Sequence, residues 1–192
     1  MCIRDRTVTL SENNSIASDI IEAGLGYEGE FSGVALKAGA NYIAADAFDG
    51  DIDPGVGVIT IENVSAWSLG AQAAYNGFTF GGGYTDDGDS LQATSTADNN
   101  VTSWNVGATY ENGPWGVGVS YLNTDFDTNA VAKTLTAGGV GGDYSVVATG
   151  ATYKVAPGLA VGADLSFYDR NAIGTADDDS GYVLLTDVTA AF

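Results

Sequence analysis

From about residue 19 onward the chain alternates apolar and polar positions with a period of two, the pattern of strands whose successive side chains point to opposite faces. Asp19, Ile21, Ala23, Leu25 and Tyr27 share one face of a first segment, with Glu22, Gly24 and Gly26 on the other. Val34, Leu36, Ala38, Ala40 and Tyr42 are opposed to Lys37, Gly39 and Asn41, and Trp67, Leu69, Ala71, Ala73 and Tyr75 to Ser68, Gly70, Gln72 and Ala74. The pattern continues through Phe78 to Tyr84, Trp104 to Tyr110, Trp115 to Tyr121, Leu159 to Phe167 and Tyr182 to Phe192. Between Tyr144 and Tyr153 it blurs, and only Tyr153 fixes the faces there. Nine strands are predicted, joined alternately by short turns and by long connections at roughly 47–64, 86–101, 125–142 and 170–180.

A recurring phrase marks the short turns. Gly24-Leu25-Gly26-Tyr27-Glu28-Gly29 returns as Gln72-Ala73-Ala74-Tyr75-Asn76-Gly77, as Gly107-Ala108-Thr109-Tyr110-Glu111-Asn112-Gly113 and as Gly150-Ala151-Thr152-Tyr153-Lys154. Each tyrosine is read as the end of a strand, so each phrase predicts one hairpin. Short turns at one rim and long loops at the other are the asymmetry of barrels that span an outer membrane.

The aromatic residues sharpen this picture. Trp67 and Tyr75 lie eight residues apart on one face, about 26 Å of strand at ~3.3 Å per residue. A tilt of about 40° projects that to roughly 20 Å, near the ~25 Å apolar band between two aromatic girdles. Tyr27, Tyr75, Tyr110, Trp115 and Tyr153 are expected at one girdle, and Tyr42, Trp67, Tyr84, Trp104, Tyr121 and Phe167 at the other. A soluble β-sandwich would instead concentrate its bulk in the middle of each strand.

Composition agrees with a face that does not meet water. Glycine is 27 of 192 residues and charged residues are 16 %, while aromatics reach 10 %; a soluble domain carries more charge and a disordered one fewer aromatics. No run reaches the ~18–20 apolar residues of a membrane helix, and closed barrels are the other way of pairing every backbone group in hydrocarbon. The net charge of −19, from 25 acids against six bases, excludes nucleic acid as a partner. There is no histidine and one cysteine, Cys2, so the side chains for zinc binding, a disulfide or Ser-His-Asp chemistry are missing, and an enzyme is not expected.

The hairpin phrases, the acidic connections and the last strand, Tyr182 to Phe192, resemble the C-terminal half of the general diffusion porins of Gram-negative outer membranes. That resemblance implies an all-β, antiparallel up-and-down transmembrane barrel, located in the outer membrane, whose whole form has 16 strands and assembles as a homotrimer. It implies a water-filled channel for ions and small hydrophilic solutes. The terminal Phe192 is similar to the family's assembly signal, read by the barrel assembly machinery; Ala190 departs from the larger residue usual at its position. Lipid and lipopolysaccharide are the expected surroundings. Residues 1–6 read as a non-native, translated adapter scar, 7–17 as the remnant of an extracellular loop, and 18–192 as the C-terminal portion of the barrel.

On this reading the polar face lines the channel, through Glu22, Lys37, Asn41, Gln72, Asn105, Thr109, Asp164, Arg170 and Asp187. The alternative is a small closed barrel with a structural or adhesive role, in which these groups satisfy one another and residues 7–12 supply a tenth strand. A secreted calcium-binding β protein would need glycine–aspartate repeats at nine-residue spacing, which are not found. No cofactor is expected. Asp49, Asp51 and Asp53 carry alternate carboxylates that could share calcium through oxygen ligands, but the downstream bidentate Glu of a calcium loop is missing, and a solvated loop is the plainer reading.

Overall fold

The computed structural model describes residues 2–5, 17–47, 62–90, 100–126, 142–172 and 178–191. They form one ten-stranded antiparallel sheet in strict sequence order. Its strands are β1 (Cys2–Asp5), β2 (Ala17–Phe31), β3 (Val34–Ala47), β4 (Val64–Tyr75), β5 (Phe78–Asp86), β6 (Val101–Asn112), β7 (Trp115–Phe126), β8 (Gly142–Ala156), β9 (Leu159–Ala172) and β10 (Asp179–Ala190). The nine long strands are those expected from the alternation. The tenth is short: Cys2–Asp5, set aside in the sequence reading, pairs with Ala23–Gly26 of β2. β2 begins at Ala17, at the boundary of the expected loop remnant. Among the described residues no pairing joins β10 to β1, so these two are the edges of the sheet.

Four hairpin turns lie along one rim, and their chemistry explains them. Asn76 (φ 48°) and Gly77 (φ 83°) both take positive φ between Tyr75 and Phe78, as a two-residue turn matched to strand twist requires, and Asn-Gly is the pair best suited to it. Ser32 (φ 52°) and Gly33 (φ 81°) do the same between Phe31 and Val34. The third turn is Gly113-Pro114, between Asn112 and Trp115, and the fourth Pro157-Gly158, between Ala156 and Leu159. Three of these turns are tied to the strand end beside them by backbone bonds, Glu111 N–H in β6 to Gly77 O at 2.9 Å, Lys154 N–H in β8 to Pro114 O at 2.9 Å and Ala191 N–H, just past β10, to Gly158 O at 2.8 Å.

These turns correct one expectation. Only Tyr75 abuts its turn. Tyr27 lies four residues before the end of β2, Tyr110 two before the end of β6 and Tyr153 three before the end of β8. The ladder continues past them because the residues that follow can still pair, and Glu28 to Phe31 match Lys37 to Val34 one for one. All four tyrosines nevertheless stand toward the hairpin rim.

Among the described residues there is no second layer packed on the sheet. Ala45 is the only buried hydrophobic residue among those described, and Leu69, Val106, Val119 and Val188 are half or more exposed. A soluble sandwich would press one of its sheet faces against another. Here an apolar surface far larger than a soluble monomer shows stands open, and it requires an apolar solvent.

Candidate functional site: the two faces of the sheet

The register assigns every paired side chain to a face, since directly opposed residues share one. One row runs Tyr27, Ala38, Ala71, Gly82, Val106, Tyr121, Val147, Phe167, Tyr182 from β2 to β10. The next row on this face, toward the turns, runs Leu36, Ala73, Phe80, Ala108, Val119, Thr149, Leu165, Leu184. All eleven aromatic residues singled out for the girdles fall on this apolar face. Ring pairs form at both ends of it: Phe78 with Tyr110 at 4.3 Å and Trp115 with Tyr153 at 4.6 Å toward the turns, Trp67 with Tyr84 at 5.2 Å and Trp104 with Tyr121 at 5.1 Å toward the loops. Small and aliphatic residues hold the band between.

The opposite face is rich in hydroxyls, amides, carboxylates and glycine, with apolar positions concentrated toward β7 to β10, at Leu122, Val146, Tyr168, Val183 and Leu185. Asn41, Ser68, Thr85, Ser103, Thr124, Tyr144 and Arg170 form one row from β3 to β9. Another runs Thr79, Thr109, Gly118, Gly150, Asp164. The register brings Glu22, Lys37, Asn41, Gln72, Asn105, Thr109, Asp164, Arg170 and Asp187 together on this face. Glycine makes room for the carboxylates: a Cβ at Gly150 would collide with the Asp164 carboxylate, and one at Gly162 with that of Asp187. Over β6 to β9 this produces a shallow hollow of about 330 Å³ with Thr109, Glu111, Ser120, Thr152 and Asp164 around a floor that includes Gly116, Gly118 and Gly150.

Five charged groups on the polar face escaped the sequence reading: Glu28, Glu30, Glu111, Lys154 and Asp179. Lys37 Nζ lies 2.6 Å from Glu28 Oε1, so this lysine does not stand alone. The signal was present in the unbroken alternation Glu22, Gly24, Gly26, Glu28, Glu30, and was lost by ending the strand at Tyr27. Over β2 to β10 the face carries seven carboxylates, Glu22, Glu28, Glu30, Glu111, Asp164, Asp179 and Asp187, against Lys37, Lys154 and Arg170.

Asp49, Asp51, Asp53 and Phe192 lie outside the described residues. Among those described, no three His, Cys, Asp or Glu side chains come together as metal ligands.

A sheet apolar on one face, wettable on the other and wound in sequence order defines the chain as an outer-membrane β-barrel protein. Residues 4–173 match the family described as Gram-negative porin, and the chain belongs to that family. Solved structures carry the same fold. Outer-membrane expressed OmpT of Vibrio cholerae aligns at TM-score 0.51 and 18 % identity, over 79 % of this chain and 46 % of its own length. A loop-deletion mutant of OmpT, an outer membrane protein of Vibrio cholerae, aligns at TM-score 0.51 and 19 % identity, over 88 % of this chain and 54 % of its own. The chain therefore spans about half the length of the structures it matches. Among curated proteins none matches.

Proposed function

We propose that this chain forms part of the wall of a water-filled channel through which ions and small hydrophilic solutes diffuse passively across the outer membrane. The observation that carries this reading is the segregation of side chains over nine paired strands, with the ringed, apolar face on one side and most of the ionisable and amide groups of the barrel wall on the other. Lipid wets one face and water the other, and only a barrel wide enough to hold water gives the polar face its solvent. The role is non-enzymatic. The polar groups wet the wall and bias ion passage by their charge.

The open β1 and β10 edges, and the length of the solved structures that the chain half covers, favour a wall section of a larger barrel over the small closed barrel. The same proposal includes a homotrimer in lipid and lipopolysaccharide, with Phe192 and the last strand engaging the barrel assembly machinery. Calcium at Asp49, Asp51 and Asp53 is the accompanying minor proposal. The test is single-channel recording of the purified protein in planar bilayers. Stepwise, ohmic conductance supports the channel; bilayers that stay silent while the protein is shown to be folded and inserted would leave the structural role.

A further inference from the structure

One stretch of the polar face departs from a wall built only to be wetted. Leu122, Val146 and Tyr168 are directly opposed across β7, β8 and β9, so three apolar or aromatic side chains lie side by side, and Val183 and Leu185 of β10 extend the apolar area on the same face. Gly181 of β10 stands opposite Tyr168, and the phenol leans over it: a Cβ at Gly181 would meet the Tyr168 hydroxyl oxygen at 2.7 Å and Cζ at 2.8 Å. The ring is thus laid along the sheet, offering a face to the channel. One row nearer the loop rim, Tyr144, Arg170 and Asp179 are opposed in the same way. Arg170 and Asp179 are exposed, and neither is ion-paired with another described residue.

We propose that this strip is a solute-binding subsite for zwitterions that carry an apolar or aromatic group, of which free apolar α-amino acids are the simplest. The inference rests on the channel reading and names its preferred solute class. Arg170 offers a planar fork of donors for the carboxylate. Asp179, on the adjacent strand with Cβ about 5 Å away, accepts the ammonium group. Tyr168 lies two residues along β9, roughly 6.6 Å at ~3.3 Å per residue, which is the reach of a side chain from its own head group. A contiguous apolar patch on a water-facing surface marks a binding site. The excess of carboxylates selects among candidates, because a simple anion is repelled by this wall while a zwitterion carries no net charge and satisfies both Arg170 and Asp179.

The experiment uses the protein in liposomes, with uptake of labelled L-phenylalanine, L-glutamine and L-arabinose at micromolar concentration, and saturation-transfer NMR of phenylalanine, benzoate and benzylamine on the protein in micelles. Phenylalanine uptake is expected to exceed glutamine uptake by at least about threefold, to saturate, and to fall to the glutamine rate in Tyr168→Ser, with arabinose uptake unchanged there; in Arg170→Gln the ratio of phenylalanine to arabinose uptake is expected to fall. Transfer to the phenylalanine ring protons is expected, stronger than to benzoate or benzylamine, and lost in Tyr168→Ser. Arabinose entry without phenylalanine preference or ring transfer overturns the subsite and leaves the channel standing. Failure of arabinose to enter overturns the channel, and the NMR signal then decides the subsite alone. Equal transfer to all three aromatic probes refutes the zwitterion selection. Should Tyr168→Ser fail to fold, Arg170→Gln carries the test.

Discussion

Ala71 and Gln72 are neighbours in β4 with opposite fates, and an arginine placed at each separates the two faces energetically. Ala71 stands four residues from both Trp67 and Tyr75, about 13 Å along the strand and roughly 10 Å along the membrane normal at ~40° tilt. It is opposed by Ala38 on one side and Gly82 on the other, so an arginine there finds no carboxylate on its own face and falls short of either interface. A lipid-facing arginine near the bilayer midplane costs about 2–4 kcal/mol. Gln72 faces water and is opposed by Lys37, so Gln72→Arg meets one like charge, worth about 0.2–1 kcal/mol, which Glu28 beside Lys37 reduces. Urea unfolding of the protein from lipid vesicles, followed by tryptophan fluorescence, reads the difference. At about 2 kcal/mol per M of urea, Ala71→Arg should lower the midpoint by roughly 1–2 M and Gln72→Arg by less than about 0.5 M. Equal losses, or a larger loss for Gln72→Arg, would refute the assignment of faces.

Three further outcomes follow from the same geometry. Gly77→Ala, at φ 83° with a Cβ that would strike the Glu111 carbonyl oxygen, should cost more than about 1 kcal/mol in the same unfolding assay, whereas Asn76→Asp should be nearly silent; equal effects would place the turn elsewhere. Reversal potentials across a KCl gradient should show a modest cation preference from the excess of carboxylates, weakening as salt rises past the ~8 Å Debye length of 0.15 M; anion selectivity would show that other parts of the whole barrel set the field. Gly150→Val should displace the Asp164 carboxylate that leans over it and change the conductance or the cation preference, and unchanged values for both would remove Asp164 from the ion path.

The fold was legible because period-2 alternation holds almost everywhere, and the turn at Asn76-Gly77 was legible because that dipeptide has one favoured geometry. The turn at Ser32-Gly33 was not, since the recurring tyrosine phrase drew the strand end to Tyr27 although Glu28 to Phe31 still pair. In β8 the adjacent Val146 and Val147 satisfy either face, and Tyr153 alone assigns Val147 to the apolar one, as the pairing of Trp115 with Tyr153 and of Tyr121 with Val147 bears out. The run Val183-Leu184-Leu185 in β10 is ambiguous for the same reason. The nine polar positions shared a face because alternation carries them there. Glu28, Glu30, Glu111 and Lys154 lie just past the tyrosines that the sequence marks as strand ends, and Asp179 lies in an acidic stretch that reads as loop. The strip around Tyr168 was hidden by a rule that sends every apolar residue outward.

The central claim is that the polar face lines a conducting, water-filled path. It is tested most directly by single-channel recording of Gln72→Cys and Ala71→Cys, each in a Cys2→Ser background, before and after a charged, membrane-impermeant methanethiosulfonate reagent. Modification of the Gln72→Cys protein should reduce or reshape the unitary conductance within the recording, and the Ala71→Cys protein should be unaffected because its thiol lies in lipid. No conductance in the unmodified proteins, or a current altered at position 71 and not at 72, would contradict the account.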